Sequence, residues 1–225
     1  MPTYKNHPYY THQPFFIEVL KNTSGDILEC GCGDGSTIMI RDNIEGTNRK
    51  LVSLENDLEW MNKYTYLEDN SHSFQYIEAD NIDCVETGAK WVEFIIKNNL
   101  NAFEVVFIDC NPWLARKAVF EHFKDKAKII IIHDFDYFPN NNLIGKTLST
   151  ETYIQPITND THFECKKIEC DLTGIISNFK LFYPPYKYFA GATGPPTLIC
   201  SDLMSKVEFD GLVESIESNL HLYYQ

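Results

Sequence analysis

Five short apolar runs, at 26–30, 50–55, 74–79, 104–109 and 128–133, constrain this chain more than any other feature. Each closes at or just before an acidic or polar residue. Amphipathic patterns at 36–43, 58–70, 87–98 and 113–124 fill the gaps between them. Strand-length apolar runs that alternate with helical patterns specify a parallel sheet covered on both faces, because each parallel crossover lays a helix over the strands it joins. Polar residues gathered at the carboxyl ends of such strands lie where open α/β sheets bind ligands. In the last helical pattern Trp113, Val119, Phe120 and Phe123 recur at helical spacing, which predicts a core-facing stripe with the charges opposite.

Beyond this block the pattern changes. A short helix is expected at 14–21, preceded by an arm at 7–12 that carries His7, Tyr9, Tyr10 and His12. After the fifth run, 139–161 reads as a loop-rich insertion around Asn140, Asn141 and Asn142, with few periodic apolar positions. Strand character returns at 163–171, 178–183 and 197–200, followed by an amphipathic helix at 207–220. Between Tyr183 and Pro196, two Pro-Pro pairs bracket Gly191 and Gly194 and mark a loop placed as a candidate lid. The expected fold is an α/β three-layer sandwich with a mainly parallel seven-stranded sheet and an antiparallel strand near the C-terminus. With 225 residues the chain suits one domain over 1–225, with 1–25 as arm and helix and 137–161 as an insertion near the binding crevice.

Charge narrows the partners. A net charge of −13, from 32 acids against 19 bases, repels phosphate backbones, and no basic stripe overrides it, so nucleic acid is disfavoured. The longest aliphatic stretch, Ile129 to Ile132, is far too short for a bilayer, and the N-terminal residues hold no apolar run, so no membrane association is expected. Seven cysteines, an odd number without a C-x-x-C pair, fit reduced thiols and a cytoplasmic location. The oligomeric state stays open, a homodimer included.

The chemistry concentrates where the first apolar run enters the turn Glu29-Cys-Gly31-Cys-Gly33-Asp-Gly35 and then a helix opening with Ser36 and Thr37. Glycines there admit positive φ and let a ligand approach the backbone. Glu29 adds a carboxylate suited to a cationic amino group, whereas a phosphate would favour bare amide donors. The dinucleotide fingerprint G-x-G-x-x-G disagrees in spacing, since Ser36 stands three after Gly33 and the third glycine comes one place early. Glu55, closing the second run, can accept from both hydroxyls of a ribose.

These residues resemble the class I, Rossmann-like, S-adenosylmethionine-dependent methyltransferases. Glu29 to Gly35 matches the acid-x-G-x-G-x-G first motif, Glu55 the ribose-binding acid, and Glu78-Ala79-Asp80-Asn81 the loop in which Asp80 would bond the adenine amine. Val106 to Asp109 and Ile130 to Asp134 match the fourth and fifth strands, so the resemblance covers 26–136, about half the chain. It implies S-adenosylmethionine as cofactor, held by Glu29, Gly31, Gly33, Gly35, Ser36, Thr37, Glu55, Asn56, Asp80, Asn81 and Asp109. A non-catalytic S-adenosylmethionine-binding scaffold and an NAD or nucleotide-sugar enzyme remain alternatives.

Within the superfamily, Ile108-Asp109-Cys-Asn-Pro and Ile132-His133-Asp134-Phe-Asp136 look like the catechol- and macrocin-type O-methyltransferases. That branch implies transfer to a hydroxyl of a small molecule, with a saccharide as the first acceptor considered. It also implies Mg²⁺ held by Asp109 and Asp134, acting as a Lewis acid on the hydroxyl. Phe135 stands where the catechol type has Asn, with Asp136 next, so the third ligand stays open and Asp136 is its candidate. Asp109, His133 and Asp134 are the catalytic candidates, His133 as general base.

Overall fold

Four consecutive isoleucines, Ile129–Ile132, form a strand with every residue buried, a pattern that only a central strand covered on both faces can satisfy. Its neighbour Val105–Ile108 is equally buried. The computed structural model describes residues 10–136, 138, 143–156, 162–183 and 195–223, with side chains at 150–156 and 162–167 left aside. His7 and Tyr9 of the arm, Asn140 to Asn142 of the insertion and 184–194 of the Pro/Gly segment lie outside the described residues.

In chain order the elements are α1 (Gln13–Lys21), β1 (Ile27–Cys30), α2 (Thr37–Ile44), β2 (Leu51–Glu55), α3 (Leu58–Met61), β3 (His72–Tyr76), α4 (Val85–Lys97), β4 (Val105–Ile108), α5 (Trp113–Phe123), β5 (Ile129–Ile132), β6 (Lys146–Pro156), β7 (His162–Asp171), β8 (Asn178–Phe182), β9 (Thr197–Ser201) and α6 (Lys206–Asn219). Seven strands form one sheet in the order β3-β2-β1-β4-β5-β9-β8. All neighbours pair in parallel except β9, which runs antiparallel to both β5 and β8. This is the Rossmann-like three-layer arrangement expected from the alternation of runs. Its order reverses between β1 and β4, the place where ligands bind in such sheets.

The pleat sends alternate residues into two cores. Val106, Ile108, Ile130 and Ile132 meet Trp91, Phe120 and Phe123 of α4 and α5 on one face. Val105, Phe107, Ile129 and Ile131 meet Phe15, Phe16, Ile40 and Phe209 of α1, α2 and α6 on the other. Each fully buried aliphatic or aromatic chain contributes about 1.5–3 kcal/mol of transfer free energy, so the two cores hold the strand ends in register. A capping box fixes the start of α6, with Ser205 and Glu208 satisfying each other's backbone amides. Among the described residues no helix is long and apolar enough to cross a membrane.

Three expectations are corrected. The helix expected at 58–70 is one short turn, Leu58–Met61, followed by a 3₁₀ turn at Thr65–Leu67. Trp60 and Tyr64 are committed to the glycine turn: the indole donates to the Cys32 carbonyl at 2.7 Å and the phenol to Asp34 at 2.9 Å. The third strand lies at His72–Tyr76 rather than 74–79, because it is the sheet edge and carries polar residues. The insertion is not loop-rich throughout: β6 pairs antiparallel with β7 as a separate two-stranded ribbon, with a register shift between Thr147 and Ser149. Its Thr-rich sequence favours extended backbone without needing a buried face. Tyr183 pins the root of β7, its hydroxyl donating to the Ile168 carbonyl at 2.7 Å and accepting from the Ile168 amide at 3.0 Å.

Candidate functional site

The carboxyl ends of β1, β2, β4 and β5 surround a cavity of about 570 Å³. The turn after β1 forms its floor. Gly31 has φ +95°, and a Cβ there would lie 2.6 Å from the Asp109 carbonyl, so the chain can pass beside the end of β4 only with glycine at this position. Gly33 differs, since a Cβ there would meet nothing nearer than Ser36 Oγ at 3.9 Å and would project from the cavity floor. Gln13 of α1 donates to the Gly35 carbonyl at 2.6 Å and fixes the far side of the turn.

Glu29 is placed differently from the sequence reading. Its carboxylate is fully buried beneath the turn and does not line the cavity. It accepts from Ser36 Oγ at 2.5 Å, from Thr37 Oγ1 at 3.0 Å and from Ser53 Oγ at 2.6 Å. Burial pushes its carboxyl up to about 7, although these hydroxyls pull in the opposite direction. Glu29 and Thr37 therefore brace the turn from within, and Gly31 supports it, while Gly33, Gly35 and Ser36 face the cavity.

Glu55 does reach the cavity. Its oxygens accept from the backbone amides of Cys32 at 3.0 Å, Asn56 at 2.8 Å and Asp57 at 2.9 Å. This fixes the carboxylate while leaving lone-pair capacity for a diol. Asn56 lines the same wall and donates to the Ala79 carbonyl at 3.2 Å, which brings the loop after β3 alongside. In that loop Asn81 lines the cavity; Asp80 does not, because it turns outward to Lys90 at 3.6 Å with its side chain 73% exposed.

At the opposite end, β4 and β5 bring Asp109, His133 and Asp134 together, with one ligand-type atom from each within 4.8 Å of the others. His133 Nδ1 lies 3.3 Å from Asp109 Oδ2, and its Nε2 lies 2.9 Å from Thr11 Oγ1. Burial alone would lower His133, but Asp109 and Asp134 outweigh it and raise its pKa. Asp109 is held down to about 2: burial opposes ionisation, and Arg116 and His133 overcome it. Asp134 sits at φ 55°, a left-handed conformation unusual for a residue with a side chain, and burial raises its carboxyl above the ordinary range. His12 packs edge-on against His133 with centroids 4.5 Å apart, and burial and that neighbour lower it to about 3, so it is neutral.

Asp136 is not a member of this set. Phe135 is buried and stacks on Phe138 at 5.4 Å, and this carries the chain away from the cavity directly after Asp134. The sequence reading also missed Arg116, which it placed with the charges opposite the apolar stripe of α5. The side chain is buried, lines the cavity, and pairs with Asp109 at 2.9 Å and Asp134 at 3.5 Å. A cation three residues after Trp113 and three before Val119, on the stripe itself, was the available signal.

The donor set does not fit Mg²⁺. That ion wants near-octahedral oxygen ligation, whereas this set offers two carboxylates and an imidazole, and both carboxylates already answer a guanidinium. The cavity's other acids, Asp34, Glu55 and Asp57, lie beside the glycine turn, and Glu55 keeps acceptor capacity for a ribose diol.

No family model matches the chain, and no curated protein matches it. Solved structures similar to it include an S-adenosylmethionine-dependent methyltransferase from Geobacter sulfurreducens in complex with S-adenosyl-L-homocysteine, at 9% identity and TM-score 0.37 over 70% of this chain and 55% of that one. Human methyltransferase-like protein 13, also in complex with S-adenosylhomocysteine, matches at 12% identity and TM-score 0.44 over 96% and 93% of the two chains. Spermidine synthase from Thermotoga maritima matches at 15% identity and TM-score 0.43 over 91% and 64%. The chain spans just over half the length of the first two matched structures, 55% of each. Such likenesses are too distant to transfer an activity.

Proposed function

We propose that the chain, as one domain, is an S-adenosylmethionine-dependent methyltransferase acting on a hydroxyl of a small molecule, with a saccharide as the first class to test. The observation that carries this reading is the fixed Glu55 carboxylate at the end of β2, facing the same cavity as Gly33 and Gly35. In it, Glu55 takes the ribose, and Asn56 and Asn81 border the adenine. When bound, the cofactor supplies an activated methyl group on a sulfonium, so the protein needs chiefly to align the acceptor and exclude water.

The acceptor end then lies between β4 and β5. His133 has both ring nitrogens engaged and is 2% exposed, so it orients its neighbours rather than meeting the acceptor. Asp134, with its side chain 26% exposed, is the group that receives the hydroxyl proton in this reading. Tyr10 and Trp113 also line the cavity, where aromatic side chains suit the stacking of an acceptor ring.

Calorimetry with S-adenosylmethionine, S-adenosylhomocysteine and NAD⁺ tests the ligand, and methyl transfer to a panel of hydroxylated acceptors tests the activity. Binding of NAD⁺ alone overturns the reading; binding of S-adenosylmethionine without transfer to any acceptor returns it to a scaffold. Asp134→Asn is expected to lower kcat by about 100-fold, the usual scale for a lost general base, with cofactor affinity unchanged. A base acts only when ionised and this carboxyl is raised, so the wild-type rate falls as pH drops through that raised value. The same limb should vanish in Asp134→Asn; an identical pH profile in both proteins removes Asp134 from the role.

A further inference from the structure

Arg116 is a buried cation spent entirely on the cavity's own walls. From α5 its Nε donates to the Cys110 carbonyl at 2.6 Å, Nη1 to the His133 carbonyl at 3.1 Å, and Nη2 to the Asp109 carbonyl at 3.3 Å. The same guanidinium pairs with Asp109 Oδ1 at 2.9 Å and with Asp134 Oδ2 at 3.5 Å, and lies 4.3 Å over the ring of Trp113. The other oxygens of the two acids face His133, Asp109 Oδ2 at 3.3 Å and Asp134 Oδ1 at 3.6 Å. Every carboxylate oxygen of the pair therefore already faces the guanidinium or the imidazole.

We infer that Arg116 is the resident cation of this cavity: it takes the place a divalent metal would be drawn to, and it joins the ends of β4 and β5 into one unit that works without metal. A planar guanidinium suits that task, because its fork bonds two carboxylates and several carbonyls at fixed angles, a geometry an ammonium cannot reproduce. Its charge is held inside the protein, so it stays beside the acids whatever the solution contains. A metal entering between Asp109 and Asp134 would have to displace Arg116 from both while its positive charge remained buried alongside. Arg116 is thus a positioning residue, acting through Asp109 and Asp134 and through the carbonyls after β4 and β5.

The inference concerns the same cavity as the proposed function but does not rest on methyl transfer. The readout is Mn²⁺ binding to the intact chain, followed by electron paramagnetic resonance, with S-adenosylhomocysteine affinity recorded separately by calorimetry. Wild-type protein is expected to show no saturable Mn²⁺ binding at this site. Arg116→Met should gain saturable binding at least about tenfold tighter than wild type, and the further change Asp134→Ala should abolish the gain. Arg116→Lys, which keeps the charge, should exclude the metal as wild type does. Stoichiometric Mn²⁺ binding by wild type that disappears in Asp134→Ala overturns the inference, and this measurement stands even if Arg116→Met does not fold. A folded Arg116→Met that gains no affinity also overturns it.

Discussion

Gly33→Val is expected to lose cofactor affinity by about fivefold to a hundredfold while the protein melts within about 3 °C of wild type. The asymmetry comes from where a side chain at 33 would go. A Cβ there meets only Ser36 Oγ at 3.9 Å and Gly35 N at 4.0 Å, both ordinary contacts, so the fold accommodates it. The remaining methyls project into the cavity, where overpacking against a ligand costs about 1–3 kcal/mol, each 1.4 kcal/mol being tenfold in affinity. Gly31→Ala is the reverse case: at φ +95° and 2.6 Å from the Asp109 carbonyl, the new methyl strains the backbone by about 1–3 kcal/mol before any ligand is present. Thermal melts and calorimetry on the two variants separate floor from frame. Unchanged affinity in a folded Gly33→Val would remove the turn from the binding site.

Glu29→Leu should destabilise the chain by about 3 kcal/mol or more, because it leaves the hydroxyls of Ser36, Thr37 and Ser53 buried without their shared acceptor. The native carboxyl also gives stability a pH dependence of defined sign. Its folded value of about 7 lies above its ordinary 4.5, so between these the folded state holds a proton that the unfolded chain has released. The stabilisation is complete below about 4.5, is lost as pH rises through about 7, and amounts to something on the order of 3 kcal/mol. Glu29→Gln keeps an acceptor oxygen and cannot titrate, so its urea midpoint should be flatter across the same window. Parallel curves for the two proteins would mean that Glu29 is ionised throughout.

The central sheet was legible because buried parallel strands such as Ile129–Ile132 leave an unbroken apolar run that nothing else explains. At the edge that signal fails. His72, Ser73 and Gln75 of β3 are polar, so the apolar reading slid forward to Ile77 and Ala79, which lie beyond the strand. The ribbon strand β6 escaped notice for a related reason: its register is set by backbone pairing with β7, and a residue such as Leu148, 57% exposed, shows no inward alternation to read. At the site, residues that a strand end must present, Glu55, Asp109 and Asp134, were identifiable in the sequence. Arg116 was not, because the two acids it meets are 7 and 18 positions away in sequence and adjacent only after folding. The inward turn of Glu29 was equally hidden, since the same spacing serves a carboxylate that touches a ligand and one that braces the turn below it.

The stretch Thr11, His12 and Gln13, of which His12 lines the cavity and the other two bond to its lining, has an energetic meaning of its own. These residues lead into α1, which begins at Gln13 and whose Phe15 and Phe16 are sealed into the core, Phe16 stacked 4.9 Å from Phe107 of β4. Their reach to Gly35 and His133 is therefore inherited from that packing. A guest arriving in the cavity meets a surface already set in place on this side, so the entropy of organising it was spent during folding and does not weaken the association.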